Sequence, residues 1–218
     1  METLSSHAAY ELWAATYPPV AHNPLMHAEQ AVVTRHLAGI RATRALDAGT
    51  GSGRYLPLLA ATGARTVVGA DLSPGMLHRN QSRHRVCADA RHLPLAGATF
   101  DLVNASLMAG DIADLAPWID ELARVLMPGG HLLYSDFHES WDRRGWQRTF
   151  RTSDGRECAL PRAPHTLGDH LAALARAGLD LVAMDVVTLP PNRHGLRRLL
   201  GSRALPVATV FHARKAAR

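Results

Sequence analysis

Short apolar runs recur along this chain at 43–47, 66–70, 84–88, 99–105 and 130–137, and each reads as a strand. Longer segments at 53–62, 74–82 and 112–126 separate them and read as helices. That alternation predicts parallel strands with helices on both faces of the sheet. Two more helices, 6–16 and 25–38, precede the first strand. The linker Tyr17-Pro18-Pro19-Val20-Ala21-His22-Asn23-Pro24 keeps them apart, because proline lacks the amide donor and restricts the residue before it. After the fifth strand, 146–152 and 156–160 flank Ser153-Asp154-Gly155, a turn signal that predicts an inserted β-hairpin. A helix over 166–177 follows, capped by Thr166 and stopped by Gly178. Strands near 179–188 and 206–213 complete the pattern as an antiparallel edge.

The junction after the first strand carries the most chemical information. In Leu46-Asp47-Ala48-Gly49-Thr50-Gly51-Ser52-Gly53, glycine occupies every second position where a strand gives way to a helix. Such a loop lets backbone approach a ligand that a side chain would obstruct. A dinucleotide fingerprint fails here: starting at Gly49 it requires glycine where Arg54 stands, and starting at Gly51 it requires glycine where Leu56 stands. A carboxylate at the loop mouth, Asp47, would repel a pyrophosphate and suits a ligand bearing an ammonium group. The second strand ends in Asp71, eighteen residues beyond Gly53, placed to accept the hydroxyls of a ribose. Ser73 and Pro74 then open a helix as cap and first residue. The third strand ends in Asp89. Three strand tips on one edge build one crevice for a cationic nucleoside.

Composition narrows the partners. With 218 residues, 47% apolar and 20% charged, the chain suits one globular domain. The expected division is a helical segment over 1–40, a cofactor-binding core over 41–138, an insert over 139–165 and a C-terminal helix with edge strands over 166–218. The net charge of +5 invites a nucleic-acid reading, but the basic residues are scattered and aromatics make up only 6%. The densest basic stretch, Arg193 to Arg203, lacks interleaved aromatics, so no nucleic-acid partner is expected. Lys215 is the only lysine, a bias in arginine usage rather than a binding adaptation. No leader and no apolar run near the ~18 residues of a membrane span stand out, so a cytoplasmic protein is expected. Cys87 and Cys158 lack metal-ligand spacing, and His165 and His170, five residues apart, fall off a common helical face; no metal is expected.

Five segments in order, the glycine loop, 68–77, 88–95, 100–105 and 122–133, are similar to class I S-adenosylmethionine-dependent methyltransferases. The resemblance is to the small-molecule branch near the ubiquinone/menaquinone C-methyltransferases and covers roughly 7–188. It implies an α/β fold, a doubly wound, mostly parallel seven-stranded Rossmann-like sheet with an N-terminal helical lid. It implies S-adenosyl-L-methionine as cofactor, with Asp47, Gly49 and Gly51 beside the methionine part and Asp71 on the ribose. Asp89 and Ala90 would approach the adenine, with Leu72 and Met76 in the same set, while Asn104 and Ala105 would face the transferred methyl. Tyr17 would cover the cofactor from the lid. His138 is the candidate base, since it follows the fifth strand on the same edge as the three acids. Trp141 and Trp146, with the Pro190-Pro191-Asn192-Arg193 loop, would wall an acceptor pocket, and His22 and His27 would reach it from the lid. The expected activity is methyl transfer to O, N or C of a small molecule in a biosynthetic pathway, by a monomer or homodimer. A cyclase or isomerase on the same fold, or a nonenzymatic binding protein, are the alternatives, because fold does not fix chemistry.

Overall fold

The computed structural model describes residues 2–190 and 204–217. Local capping chemistry starts the early helices where the sequence predicts. Helix α1, Ser6–Ala14, has the Ser5 hydroxyl accepting from the Ala8 amide, and α2, Pro24–Leu37, begins with proline after Asn23, whose side chain accepts from the Met26 amide at 2.9 Å. A two-residue strand β1, Glu2–Thr3, precedes them.

The central unit then runs β2 (Arg44–Ala48), α3 (Leu56–Ala60), β3 (Thr66–Asp71), α4 (Pro74–Arg79), β4 (Arg85–Cys87) and β5 (Phe100–Ala105). It continues through α5 (Leu115–Val125) into β6 (Leu126–Phe137), α6 (Ser140–Arg143), β7 (Arg148–Arg151) and β8 (Glu157–Leu160). Last come α7 (Leu167–Arg176), β9 (Leu179–Leu189) and β10 (Leu205–Lys215). Seven strands form one sheet in the order β4-β3-β2-β5-β6-β10-β9. The chain leaves β2 toward one edge and returns to the other side of it as β5. The carboxyl ends of β2 and β5 therefore diverge into a crevice, the place where open α/β sheets bind ligands.

Strand alternation feeds two cores. On β2, Leu46 packs under α5 and α7 with Trp118, Ile119 and Leu122, while its neighbour Ala45 faces α2 and α3 with Val33, Leu37 and Leu59. Leu102 and Val103 on β5, and Leu132 and Leu133 on β6, divide in the same way. A sheet covered on both faces needs such near-continuous apolar runs.

Three departures from the expected layout have local causes. Helix α3 begins only at Leu56 because Gly51 and Gly53 hold positive φ and the chain turns through 51–55. The 112–126 helix begins at Leu115, capped by Asp114, after a separate single turn of 3-10 helix at Ala109–Asp111. The last two strands do pair antiparallel, but β10 lies between β6 and β9 and alone runs against the rest. The expected hairpin is present as β7 and β8, turning at Gly155 with φ +85°. Strand β1 adds to β8 in parallel, and Ala9 of α1 packs on Phe150, Cys158 and Leu160.

Candidate active site

The glycine loop is sewn to β3 by its own amides. Gly49 and Thr50 both donate to the Ala70 carbonyl, at 2.8 and 2.9 Å. Gly49 sits at φ +70°, and a Cβ there would stand 2.6 Å from the Met108 sulfur, so both backbone and space demand glycine. Gly51, at φ +54°, has nothing within 4 Å of the position a Cβ would take. It lines a cavity of about 820 Å³ that opens over the carboxyl ends of β2, β3 and β5, within the size range of cofactor sites.

Asp47 reaches this cavity from β2 while being 2% exposed. Its Oδ1 accepts from the Asn104 side-chain amide at 2.7 Å, and its buried Oδ2 has no hydrogen-bond partner among the described residues. Burial pushes its carboxyl up to about 6, against the pull of the Asn104 hydrogen bond. Asp71 is held from both sides: Oδ2 accepts from the Gly51 amide at 2.7 Å and Oδ1 from the Ser73 amide at 2.9 Å. Burial raises its carboxyl pKa and those two backbone bonds oppose the rise. The carboxylate is thus oriented with lone pairs to spare.

Tyr17, Leu72, Met76, Asp89 and Ala90 line the same cavity. Asp89 is gripped by Arg91, whose Nε and Nη2 donate at 2.9 and 2.6 Å, and this pairing holds its carboxyl below the usual range. Trp141 and Trp146 also line it, their rings edge to face at 5.2 Å. Pro191, Asn192 and Arg193 of the expected pocket loop, with the whole Arg193 to Arg203 stretch, lie outside the described residues.

Five expected residues are placed elsewhere. Asn104 and Ala105 are fully buried within β5 and do not line the cavity. Register pairs Asn104 with Asp47 and Leu133, so its amide closes under the Asp47 carboxylate, and the wall is formed instead by Ser106, Leu107 and Met108. His138 is absent from the cavity wall as well. Phe137 takes that place, and His138, one residue on, lines a separate cavity of about 80 Å³ with Asp136, His165 and His170. Its Nδ1 accepts from the Ser140 amide at 3.1 Å, and burial lowers its pKa. Neither His22 nor His27 borders the large cavity; the His22 ring stacks edge-on against Tyr17 at 5.3 Å.

Two buried ionic clusters on the wall have no local sequence signature. In the first, Arg54 Nη1 meets Glu29 Oε2 at 3.1 Å, and Glu29, with no exposed surface, also accepts from Tyr55 at 2.5 Å and Ser135 at 2.7 Å. The Ser135 hydroxyl in turn accepts from the amide of Leu107, a non-glycine residue at φ +54°. In the second, Arg148 grips Asp111 through both terminal nitrogens, at 2.5 and 3.0 Å, while Ser6 and Tyr10 of α1 donate to the same carboxylate at 2.8 and 3.1 Å. Each cluster joins residues far apart in the chain. Only the charged residues following a glycine loop or a turn hint at them.

The cavity accommodates the adenosyl sulfonium that the sequence motifs imply. Asp47 Oδ2, buried and without a donor, meets the demand of an ammonium group, and Gly51 leaves backbone bare beside it. Asp71 is oriented for vicinal hydroxyls, and the buried Met76 supplies an apolar surface next to it. A family model described as a methyltransferase domain matches residues 46–134. Among curated relatives, a malonyl-[acyl-carrier protein] O-methyltransferase of Methylovorus sp. (strain MP688) is 32% identical over 157 residues, covering 65% of this chain and 51% of the relative. A demethylmenaquinone methyltransferase of Clavibacter sepedonicus is 38% identical over 111 residues, covering 48% of this chain and 45% of the relative. The chain thus spans about half the length of these relatives. An S-adenosylmethionine-dependent methyltransferase structure from Mesorhizobium loti superposes with a TM-score of 0.68 at 24% identity, covering 86% of this chain and 98% of that one. Ordered motifs, sheet order and matched segment agree: residues 46–134 match a methyltransferase domain, and the chain shares the fold of S-adenosylmethionine-dependent methyltransferase structures.

Proposed function

We propose that this chain transfers a methyl group from S-adenosylmethionine to a small-molecule acceptor. The observation that carries the reading is a single cavity with two unlike regions. One is bounded by Asp47, Gly51, Asp71 and Met76; the other by Phe137, Trp141, Trp146, Leu107 and Val207. When bound, S-adenosylmethionine supplies a methyl group already activated by its sulfonium charge. What the protein then contributes is alignment and exclusion of water. Asp47 and Asp71 fix the donor end. Tyr10, Trp13 and Tyr17 of the N-terminal segment border the cavity and serve as its cover.

The relatives named for demethylmenaquinone and for malonyl-[acyl-carrier protein] bring two kinds of acceptor into consideration. Aromatic and aliphatic walls favour an apolar ring compound. The charges in that region support this choice, because Arg148 and Asp111 are paired with each other and present no isolated ion. With His138 off the wall, proton loss from the acceptor is left to solvent or to a cavity group such as His7.

The test is incubation with S-adenosylmethionine carrying an isotopically labelled methyl group and a panel of hydroxylated and quinol-type ring acceptors, followed by mass spectrometry. Labelled product together with S-adenosylhomocysteine, formed only when acceptor is present, is the expected result. Turnover with no methyl consumed would instead make the chain a cyclase or isomerase. Tight cofactor binding with neither outcome would make it a binding protein.

A further inference from the structure

Six of the nine large apolar side chains that stand exposed among the described residues gather at one edge of the molecule. They are Leu181, Val182, Met184 and Val186 of β9 with Leu167 and Leu171 of α7. Scattered singly, such residues need no explanation; gathered, they mark a contact surface. Leu167, Met184 and Val186 share the rim of the 80 Å³ cavity, and Leu171 lies one turn further along α7. Leu181, Met184 and Val186 belong to the α7 face through their pairing with Ala213, Phe211 and Thr209 of β10, the first two of which pack in the core under α7. Strand β9 is also the last of the sheet, eleven residues long, and no neighbour pairs with its outer edge among the described residues. Exposed edges are ordinarily blunted by lysine, by proline or by shortness of the strand. None of these protects β9, since Leu179–Leu189 contains no lysine, arginine or proline. A bulge at Val182 leaves 183–189 free of inserted residues, and the second irregularity adds its extra residue to β10.

The charges along this edge fit a second copy of the chain. Asp180 stands near one end of β9, and Asp185, further in, meets the His36 ring at 2.7 Å and Arg35 at 3.4 Å. Arg35 is 66% exposed and uses one terminal nitrogen for that contact, so the rest of its fork is open beside the strand among the described residues. An acid and a cation side by side on an edge complement the same pair turned by a twofold axis. We propose that β9 pairs antiparallel with β9 of a second copy about an axis near Val186, joining two sheets into one. Val186 then meets its own copy and Met184 meets Thr188, with Leu167 and Leu171 closing over them. The two Asp185 side chains fall one diagonal apart, roughly 7–8 Å, and each Arg35 reaches the partner's Asp185. The strand is about 33 Å long at ~3.3 Å per residue, and the sheet with its α7 layer is roughly 20 Å deep. The contact therefore covers on the order of 650 Å² per copy, about 1,300 Å² in total, which is within the range of stable specific interfaces.

Sedimentation velocity of the full chain from about 1 to 100 μM tests this, a span that covers the weak end for an interface of such size. The wild type should sediment as a dimer. Val186→Lys, at the centre of the apolar patch, should raise the dissociation constant at least about 30-fold, as loss of a central anchor does, with an unchanged far-ultraviolet circular dichroism spectrum. Arg35→Glu and Asp185→Arg should each be monomeric alone and should form a mixed dimer when combined in equal amounts. In each variant the two side chains repel within the chain, and only the other variant supplies opposite charge across the interface. Should the lysine at 186 disturb the fold, this exposed charge pair decides alone. A wild type that stays monomeric across the whole range would overturn the proposal. So would a dimer that Val186→Lys leaves intact, or charge variants that fail to combine. Species that keep growing with concentration would also overturn it, because they require a head-to-tail contact and not a twofold one.

Discussion

Burial holds the Asp47 carboxyl at about 6, well above the range of a free aspartate. Its folded pKa lies above the 3.8 of a free aspartate, so the native state holds the proton more tightly than the unfolded chain. Asp47 therefore favours folding below about pH 4 and opposes it progressively as pH rises through about 6. Asp47→Asn, which keeps the oxygen that Asn104 bonds, should stabilise the ligand-free protein at pH 8 by on the order of 1–3 kcal/mol in urea titrations. The same variant should lose most of its affinity for S-adenosylhomocysteine. In the wild type that affinity should fall as pH drops below about 6, where the carboxylate takes up a proton. Asp71→Ala should weaken S-adenosylhomocysteine by about 1–3 kcal/mol in calorimetry, since it removes charge-assisted acceptors that two backbone amides hold in place. His138→Ala is expected to leave cofactor affinity unchanged; a tenfold loss would mean its small cavity communicates with the large one. The positions of both acids at the carboxyl ends of β2 and β3 were legible because each lies within one residue of the strand's end, before a turn, a purely local signal. His138 was misplaced because facing reverses with every residue along a strand, and Phe137 takes the inward position.

Among the elements, the hairpin β7–β8 and helix α1 depend on one another through Arg148 and Asp111. Their side chains are 8% and 11% exposed, so removing one partner leaves a charge with neither water nor a counter-ion. Arg148→Met should destabilise by about 3–5 kcal/mol in urea titrations, and pairing it with Asp111→Asn should recover much of that loss. Tyr10→Phe removes only one of four donors to the Asp111 carboxylate and should cost about 1 kcal/mol. The elements themselves could be read from sequence wherever capping chemistry marks them: Ser73-Pro74 and Thr166 each begin a helix where expected, while Asn23 and Pro24, read as linker, prove to be the cap and first residue of α2. What joins them could not. Nothing near Arg148 in the chain points to Asp111, and nothing in Glu2–Thr3 points to β8.

For the molecule as a whole, charge is buried in opposing ways at the two ends of the sheet. Across β6, β10 and α2, His131 bonds His212 at 2.9 Å, and the His36 ring lies 5.3 Å from that of His212. Burial, reinforced by the other two rings, pushes His212 down to about 4. Here the unfolded state binds the proton more readily, so stability falls as pH drops from about 6.5 toward 4, opposite in sign to Asp47. His212→Phe should flatten that acid slope, lifting stability at pH 5 by up to about 2 kcal/mol relative to pH 7.5, read from denaturant midpoints. Sheet order is also a property of the whole. Periodicity identified every long strand, yet no residue pattern records that β10 slots between β6 and β9 instead of extending the edge.

That insertion has a consequence for biogenesis. On a ribosome, β6 and β9 both emerge before the segment that must separate them, and each pairs with β10 along most of its length. Until β10 arrives, two strands with exposed edges compete for each other and for neighbouring nascent chains. Assembly of this side of the sheet is therefore a late, all-at-once event, and chaperone dependence should be set there and not in the nucleoside-binding half.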